Sequence, residues 1–143
     1  MKCDNYIKLE FPSKSANEGL ARSAVAAFAV QLDPTLEELG DIKTAVSEAV
    51  TNAIVHAYPA EIGTVWLKAR ILNGEYLEIT VKDKGRGIED VKKAQEPLFT
   101  TGGEDRSGMG FTIMENFMDR LRVRSKPGKG TTVVLTRHIR KKR

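Results

Sequence analysis

SEAVTNAIVHAY, residues 47–58, places Glu48 and Asn52 four positions apart inside an otherwise apolar helical run. On a wheel of about 100° per residue, Asn52 lies about 40° and Val55 about −20° from Glu48, whereas Ile42, Val46, Ala49 and Ala53 centre near about 130°. The pair is therefore off the core stripe. An exposed glutamate and asparagine at i and i+4 are, by themselves, a solvated helix face. The sharper reading is that a carboxylate and an amide oxygen one turn apart hold a divalent ion and orient a nucleophile together, because hard cations prefer oxygen ligands.

Outward from this stretch the pattern alternates helices and strands. Upstream, Thr35 with Glu38 three residues later predicts the start of this helix, which carries Leu39, Ile42, Val46, Val50 and Ala53 at helical spacing and runs to about Ala57, before Tyr58-Pro59. An earlier helix is expected from Ser15, with Glu18 completing a second capping box, to Leu32 before Pro34. It is apolar around much of its circumference, with Val25 and Phe28 expected in the core. Before it, Tyr6, Lys8 and Glu10 alternate with Ile7, Leu9 and Phe11, the period of a half-buried strand that Pro12 ends. Downstream, Thr64–Leu72 and Tyr76–Lys82 read as a hairpin around Asn73-Gly74-Glu75. A helix is expected over 111–119, a basic–apolar strand over 120–126, a turn at Pro127-Gly128-Lys129-Gly130, and a last strand over 131–136.

The 143 residues fit one domain, and no apolar run approaches the roughly 18 residues of a membrane span. The N-terminus has no apolar secretory segment and the lone Cys3 has no partner for a disulfide, which points to a cytoplasmic protein. The net charge of +4 is local: Arg137, Arg140, Lys141, Lys142 and Arg143 form a basic tail, and the remainder holds 18 basic against 19 acidic residues. Nucleic-acid binding would rest on that tail alone.

Two glycine motifs complete the picture. Asp83-Lys84-Gly85-Arg86-Gly87 follows a strand: its acid can accept from an exocyclic amine, and its glycines allow close approach to the backbone. By itself it reads as an Asp-started turn. Arg106-Ser107-Gly108-Met109-Gly110 precedes a helix whose free amides could bind phosphate, although a simple helix cap also explains the glycines. Between the two lies a glycine-rich stretch with little apolar periodicity and a possible short helix over 89–94. A Rossmann reading fails on context, and no GxxxxGK[ST] is present.

Glu48-x-x-x-Asn52 on a helix, Asp83-x-Gly85-x-Gly87 after a strand, Gly108-x-Gly110 opening a helix and Gly130-Thr131-Thr132 on the last strand occur in one order. Together they resemble the ATP-binding fold shared by gyrase, histidine kinases and MutL repair proteins. SEAVTNAIVHAY, EPLFTT and RSGMGFTIMENFMD resemble more narrowly the anti-sigma serine kinases of spore-forming bacteria. The fold this implies is α+β, a two-layer sandwich of a mixed, mostly antiparallel sheet with helices on one face, the GHKL or Bergerat arrangement. One kinase domain would span 1–143, with a lid over 88–107 and the basic tail over 137–143.

The resemblance also implies roles. Glu48 would be the general base and Arg106 a charge on the γ-phosphate. Asn52 would bind Mg²⁺ and Asp83 the adenine amine, with Thr131 a second contact through water. Gly85 and Gly87 would give the base room, and Ser107, Gly108, Met109 and Gly110 would meet the phosphates. The cofactors implied are ATP and Mg²⁺. The implied partners are a sporulation RNA polymerase sigma factor, which the protein would inhibit, and an anti-anti-sigma factor, which it would phosphorylate on serine. The protein would act as a homodimer, and Arg22 and Glu18 on the first helix would meet the partners. A plain solvated face explains those two residues as well. His56 reads as a helix-end or packed histidine. Gly102-Gly103-Glu104 in the lid, and Ala57 where these kinases often have glycine, depart from the usual pattern. A general-stress paralogue, or a non-catalytic module that sequesters its partner with ATP bound, would carry much of the same pattern.

Overall fold

Period-two alternation becomes a five-stranded sheet in the computed structural model, which describes residues 1–88 and 110–139. The strands are β1 (Cys3–Pro12), β2 (Thr64–Leu72), β3 (Tyr76–Asp83), β4 (Arg120–Lys126) and β5 (Gly130–His138), in the order β1-β2-β3-β5-β4. Each pairing is antiparallel, so the sheet is more uniform than the mixed one expected. Short turns join β2 to β3 and β4 to β5, and the first of these has Asn73 and Gly74 at φ 52° and 65°. Such positive φ suits Asn-Gly and matches the twist of a hairpin.

The inward side of each strand follows from its alternation. Val65, Leu67, Ala69 and Ile71 of β2 and Leu77, Ile79 and Val81 of β3 are buried, and the next inward position on β3 is Asp83. A carboxylate thus enters the core by register. On β4 the same rule turns Leu121, Val123 and Ser125 inward and leaves Arg120, Arg122 and Arg124 exposed along an edge strand. Charge there blunts edge-to-edge pairing.

Helices α1 (Ala16–Ala29), α2 (Leu36–Asn52) and α3 (Gly110–Phe117) supply Val25, Phe28, Ile42, Val46, Val50, Phe111 and Met114 to the same core. Both Val25 and Phe28 are buried, as expected. α2 starts on the predicted capping box: the Glu38 amide donates to Thr35 Oγ1 at 3.0 Å, and the Thr35 amide donates to Glu38 Oε1 at 2.8 Å. The box expected at Ser15 does not form. Ser15 already has helical backbone angles and caps nothing with its side chain, whereas Glu18 faces Arg22 and the Ser47 hydroxyl. A cap acceptor needs extended backbone to reach the third amide, and Thr35 has it with ψ 164°. α1 stops at Ala29 and tightens into a single 3₁₀ turn over Val30–Leu32, followed by Asp33 at φ 51°. At the far end of α2, residues Ala53–Ala57 widen into a π-helical turn that contains the half-buried His56. No described helix is long and apolar enough to cross a membrane.

Candidate functional site

β3 carries Asp83 into the interior, where it is only 4 % exposed. Its Oδ1 accepts from the Gly85 amide at 3.0 Å and the Thr131 amide at 3.2 Å. Burial pushes the carboxyl pKa up, and these two backbone donors partly oppose the shift by favouring the charged form. Oδ2 receives no hydrogen bond from a described residue, so a buried acceptor stays available at the end of the strand. That fits an incoming amine donor.

The loop after Asp83 is fastened from several sides. The Arg86 amide donates to the Ala57 carbonyl at 3.0 Å, and the Arg86 carbonyl accepts from the Gly128 amide at 2.6 Å. A Cβ on Gly85 would stand 2.2 Å from the Ala57 carbonyl oxygen. Gly87 has φ 74°, and a Cβ there would stand 2.0 Å from the Lys126 carbonyl oxygen. The close approach expected of these two glycines is therefore made by the protein's own backbone.

Two further residues join this floor and were not singled out from the sequence. Tyr58 takes the Lys84 amide on its hydroxyl at 2.8 Å and donates to the Thr64 carbonyl at 2.8 Å, tying the helix end to both β2 and β3. Ser125 takes the Ile88 amide at 2.8 Å and lies 2.8 Å from Thr131 Oγ1. The available signal was a polar residue at an inward position of β4, after Leu121 and Val123.

Glu48 and Asn52 are half-buried on α2, as their angle from the core stripe implies. Glu48 Oε2 lies 3.3 Å from where a Cβ on Gly110 would stand, so the carboxylate reaches the first residue of α3. Glu48 also lines a groove of about 450 Å³ between α1 and α2, with Arg22, Ser23, Lys43, Thr44 and Ser47. Arg22 and Glu18 pair at 3.3 Å, and Glu18 also meets the hydroxyl of Ser47, next to Glu48 in the chain. Arg22, one of the two expected partner-facing residues, and the expected base thus share one groove. Among the described residues no group of three or more His, Cys, Asp or Glu side chains is placed to hold a metal ion. Arg106, Ser107, Gly108 and Met109 lie outside the described residues, as do the stretch 89–107 of the expected lid and residues 140–143 of the tail.

The sequence profile of the histidine kinase-like ATPase domain matches residues 11–137. A protein named anti-sigma F factor from Caldanaerobacter subterraneus subsp. tengcongensis is 58 % identical over 144 residues, covering 100 % of both chains. Another of that name, from Clostridium perfringens, is 56 % identical over 138 residues, covering 95 % of this chain and 98 % of the relative. Among solved structures, the RsbU and RsbW domains of a Mycobacterium tuberculosis protein superpose with a TM-score of 0.68 at 18 % identity, over 94 % of this chain and 32 % of that one. A mycobacterial sensor histidine kinase, MprB, superposes with a TM-score of 0.59 at 18 % identity, over 95 % of this chain and 100 % of that one. These two likenesses concern the fold alone. With a buried acid closing β3, a glutamate facing the start of α3 and full-length relatives above half identity, the chain belongs to the histidine kinase-like ATPase family and, within it, to the anti-sigma F factors.

Proposed function

We propose that the protein binds ATP with Mg²⁺, sequesters a sporulation RNA polymerase sigma factor, and phosphorylates a serine of an anti-anti-sigma partner, acting as a cytoplasmic homodimer of one kinase domain over 1–143. The observation that carries this reading is the separation of two half-sites along α2. Asp83 stands in the floor that Ala57 of the π-helical turn anchors, and Glu48 lies nine residues before Ala57, roughly 13 Å along the helical axis. A nucleotide whose base met Asp83 would extend its phosphates along α2 toward Glu48 and the first turn of α3.

In this reading Asp83 Oδ2 accepts from the adenine amine, with Thr131 beside it, and Gly85 and Gly87 shape the floor under the base. The amides of Gly108, Met109 and Gly110, with Ser107, bind the phosphates at the start of α3. The Glu48 carboxylate accepts the proton of the partner's serine hydroxyl as that oxygen attacks the γ-phosphorus and the bond to the β,γ-bridging oxygen breaks, releasing ADP, while Arg106 offsets charge on the transferring group. Asn52 would hold Mg²⁺ through its side-chain oxygen. The ion, when bound, neutralises developing phosphate charge. Arg22 and Glu18 at the groove's edge meet the protein partners. The lid over 88–107 closes on the nucleotide, and the tail over 137–143 adds a weak electrostatic contact.

The test incubates the protein with labelled ATP, Mg²⁺ and a candidate anti-anti-sigma protein, alongside Glu48→Gln. Transfer to serine that disappears in the variant supports the kinase. Nucleotide binding with no transfer by either protein would leave a sequestering module only.

A further inference from the structure

The Ser125 hydroxyl meets three partners in the floor of the site. The Ile88 amide donates to it at 2.8 Å, the Gly130 carbonyl accepts from it at 3.0 Å, and Thr131 Oγ1 lies 2.8 Å away. A serine hydroxyl has one proton and two lone pairs. An amide can only donate and a carbonyl can only accept, so the proton and one lone pair are committed. The third contact then has one polarity: Thr131 donates and Ser125 accepts. The proton of Thr131 is spent on the serine, and toward the ligand its hydroxyl presents lone pairs.

We propose that Ser125 is a positioning residue for base selection: by taking the hydroxyl proton of Thr131 it holds that threonine as an acceptor, and so favours a purine with an exocyclic amine at position 6. The proposal deepens the reading of Asp83 and Thr131 as adenine contacts and rests on it. Thr131 is fastened beside the acid, since its amide donates to Asp83 Oδ1 at 3.2 Å. Both residues are buried, at 5 % and 4 % exposure. Two acceptors side by side match an amine, directly or through a shared water. A carbonyl at position 6, as in hypoxanthine, would face oxygen lone pairs with little bulk water to relieve the mismatch. Without Ser125 the threonine proton is released, and the hydroxyl can rotate to donate to that carbonyl.

A merely structural role for Ser125, closing the turn between β4 and β5, would lower stability and weaken all nucleotides alike. The experiment therefore measures dissociation constants for ATP and for inosine triphosphate by calorimetry, with thermal unfolding as a control. It compares wild type, Ser125→Ala, Ser125→Thr, Thr131→Val and Asp83→Asn. Ser125→Ala is expected to shrink the preference for ATP by about tenfold, the size of one net hydrogen bond in a buried site. Ser125→Thr keeps the hydroxyl and retains the preference. In a Thr131→Val background, Ser125→Ala should leave the preference where it stands. Ser125→Cys, of similar size but a weak acceptor, replaces the alanine variant if that fails to fold. An unchanged ATP-to-inosine-triphosphate ratio in folded Ser125→Ala overturns the proposal while leaving the adenine reading intact. Asp83→Asn binding ATP as tightly as wild type would instead remove the adenine reading, and the proposal with it.

Discussion

The floor around Asp83 and the groove beside Glu48 are built on opposite principles. In the floor, Asp83 and Thr131 are buried, Gly85 and Gly87 are half-buried, and Tyr58, Ser125, Ala57 and Gly128 stitch the chain to itself. In the groove, Glu48 is half-buried and Arg22, its side chain 40 % exposed, is held by a part-buried pair with Glu18 one helical turn away. Helix pairs at this i,i+4 spacing contribute about 0.2–0.5 kcal/mol. In the proposed reading the floor takes a base, which needs a fixed complementary surface ordered in advance. In the same reading the groove takes a protein partner, which needs access and side chains that can change partners at little cost. Changes that unfasten the floor's backbone should thus alter binding and stability together, and changes in the groove should alter transfer or docking with the fold intact.

The sharpest separation is Glu48→Gln. It should lower serine phosphorylation by about 10²–10⁴-fold while ATP affinity stays within about twofold, measured by labelled transfer and by calorimetry. A matched loss of affinity would merge the two regions into one.

Gly87→Ala tests the floor. At φ 74°, with a Cβ 2.0 Å from the Lys126 carbonyl oxygen, the substitution should cost about 3 kcal/mol in urea unfolding and weaken ATP binding in parallel. Full stability in this variant would mean that the loop is not fastened as described.

Asp83→Asn should weaken ATP about 10–100-fold by removing a charge-assisted acceptor, yet it should not destabilise the unliganded protein at neutral pH. Burial raises the Asp83 pKa, so between the ordinary carboxylate value and the folded one the native state holds a proton that the unfolded chain has released. This contribution is fully present below the unfolded pKa and is lost as pH rises through the folded pKa. The asparagine variant should lack that decline in unfolding experiments run from about pH 4 upward.

The smallest effects concern the helix starts. Thr35→Ala should cost about 1 kcal/mol, and Ser15→Ala much less, because only Thr35 caps with its side chain. Equal costs in thermal unfolding would contradict the difference seen between the two boxes.

Much of this was legible in the residues. Alternation located the strands, Asn73-Gly74 marked the hairpin, and Thr35 with Glu38 marked the start of α2, because each is a local rule acting within a few residues. The angle of Glu48 from Ile42 and Val46 already put the carboxylate off the core stripe. What escaped were interactions between distant segments. Ser15 and Glu18 carry the same signature as Thr35 and Glu38, but Ser47, 29 residues away from Glu18, takes part of that glutamate's bonding. Tyr58 and Ser125 looked unremarkable because their partners lie in other strands.

The sequence by itself determined which residues face inward, since a period of two or of 3.6 is a property of the backbone: Asp83 had to follow Leu77, Ile79 and Val81 into the core. Beyond the local Gly85 amide, tertiary structure decided what surrounds that acid. The Thr131 amide, the Ser125 hydroxyl and the Ala57 carbonyl reach the end of β3 only after β5, β4 and α2 have packed. A buried polar group takes its character from neighbours that the chain order does not bring together.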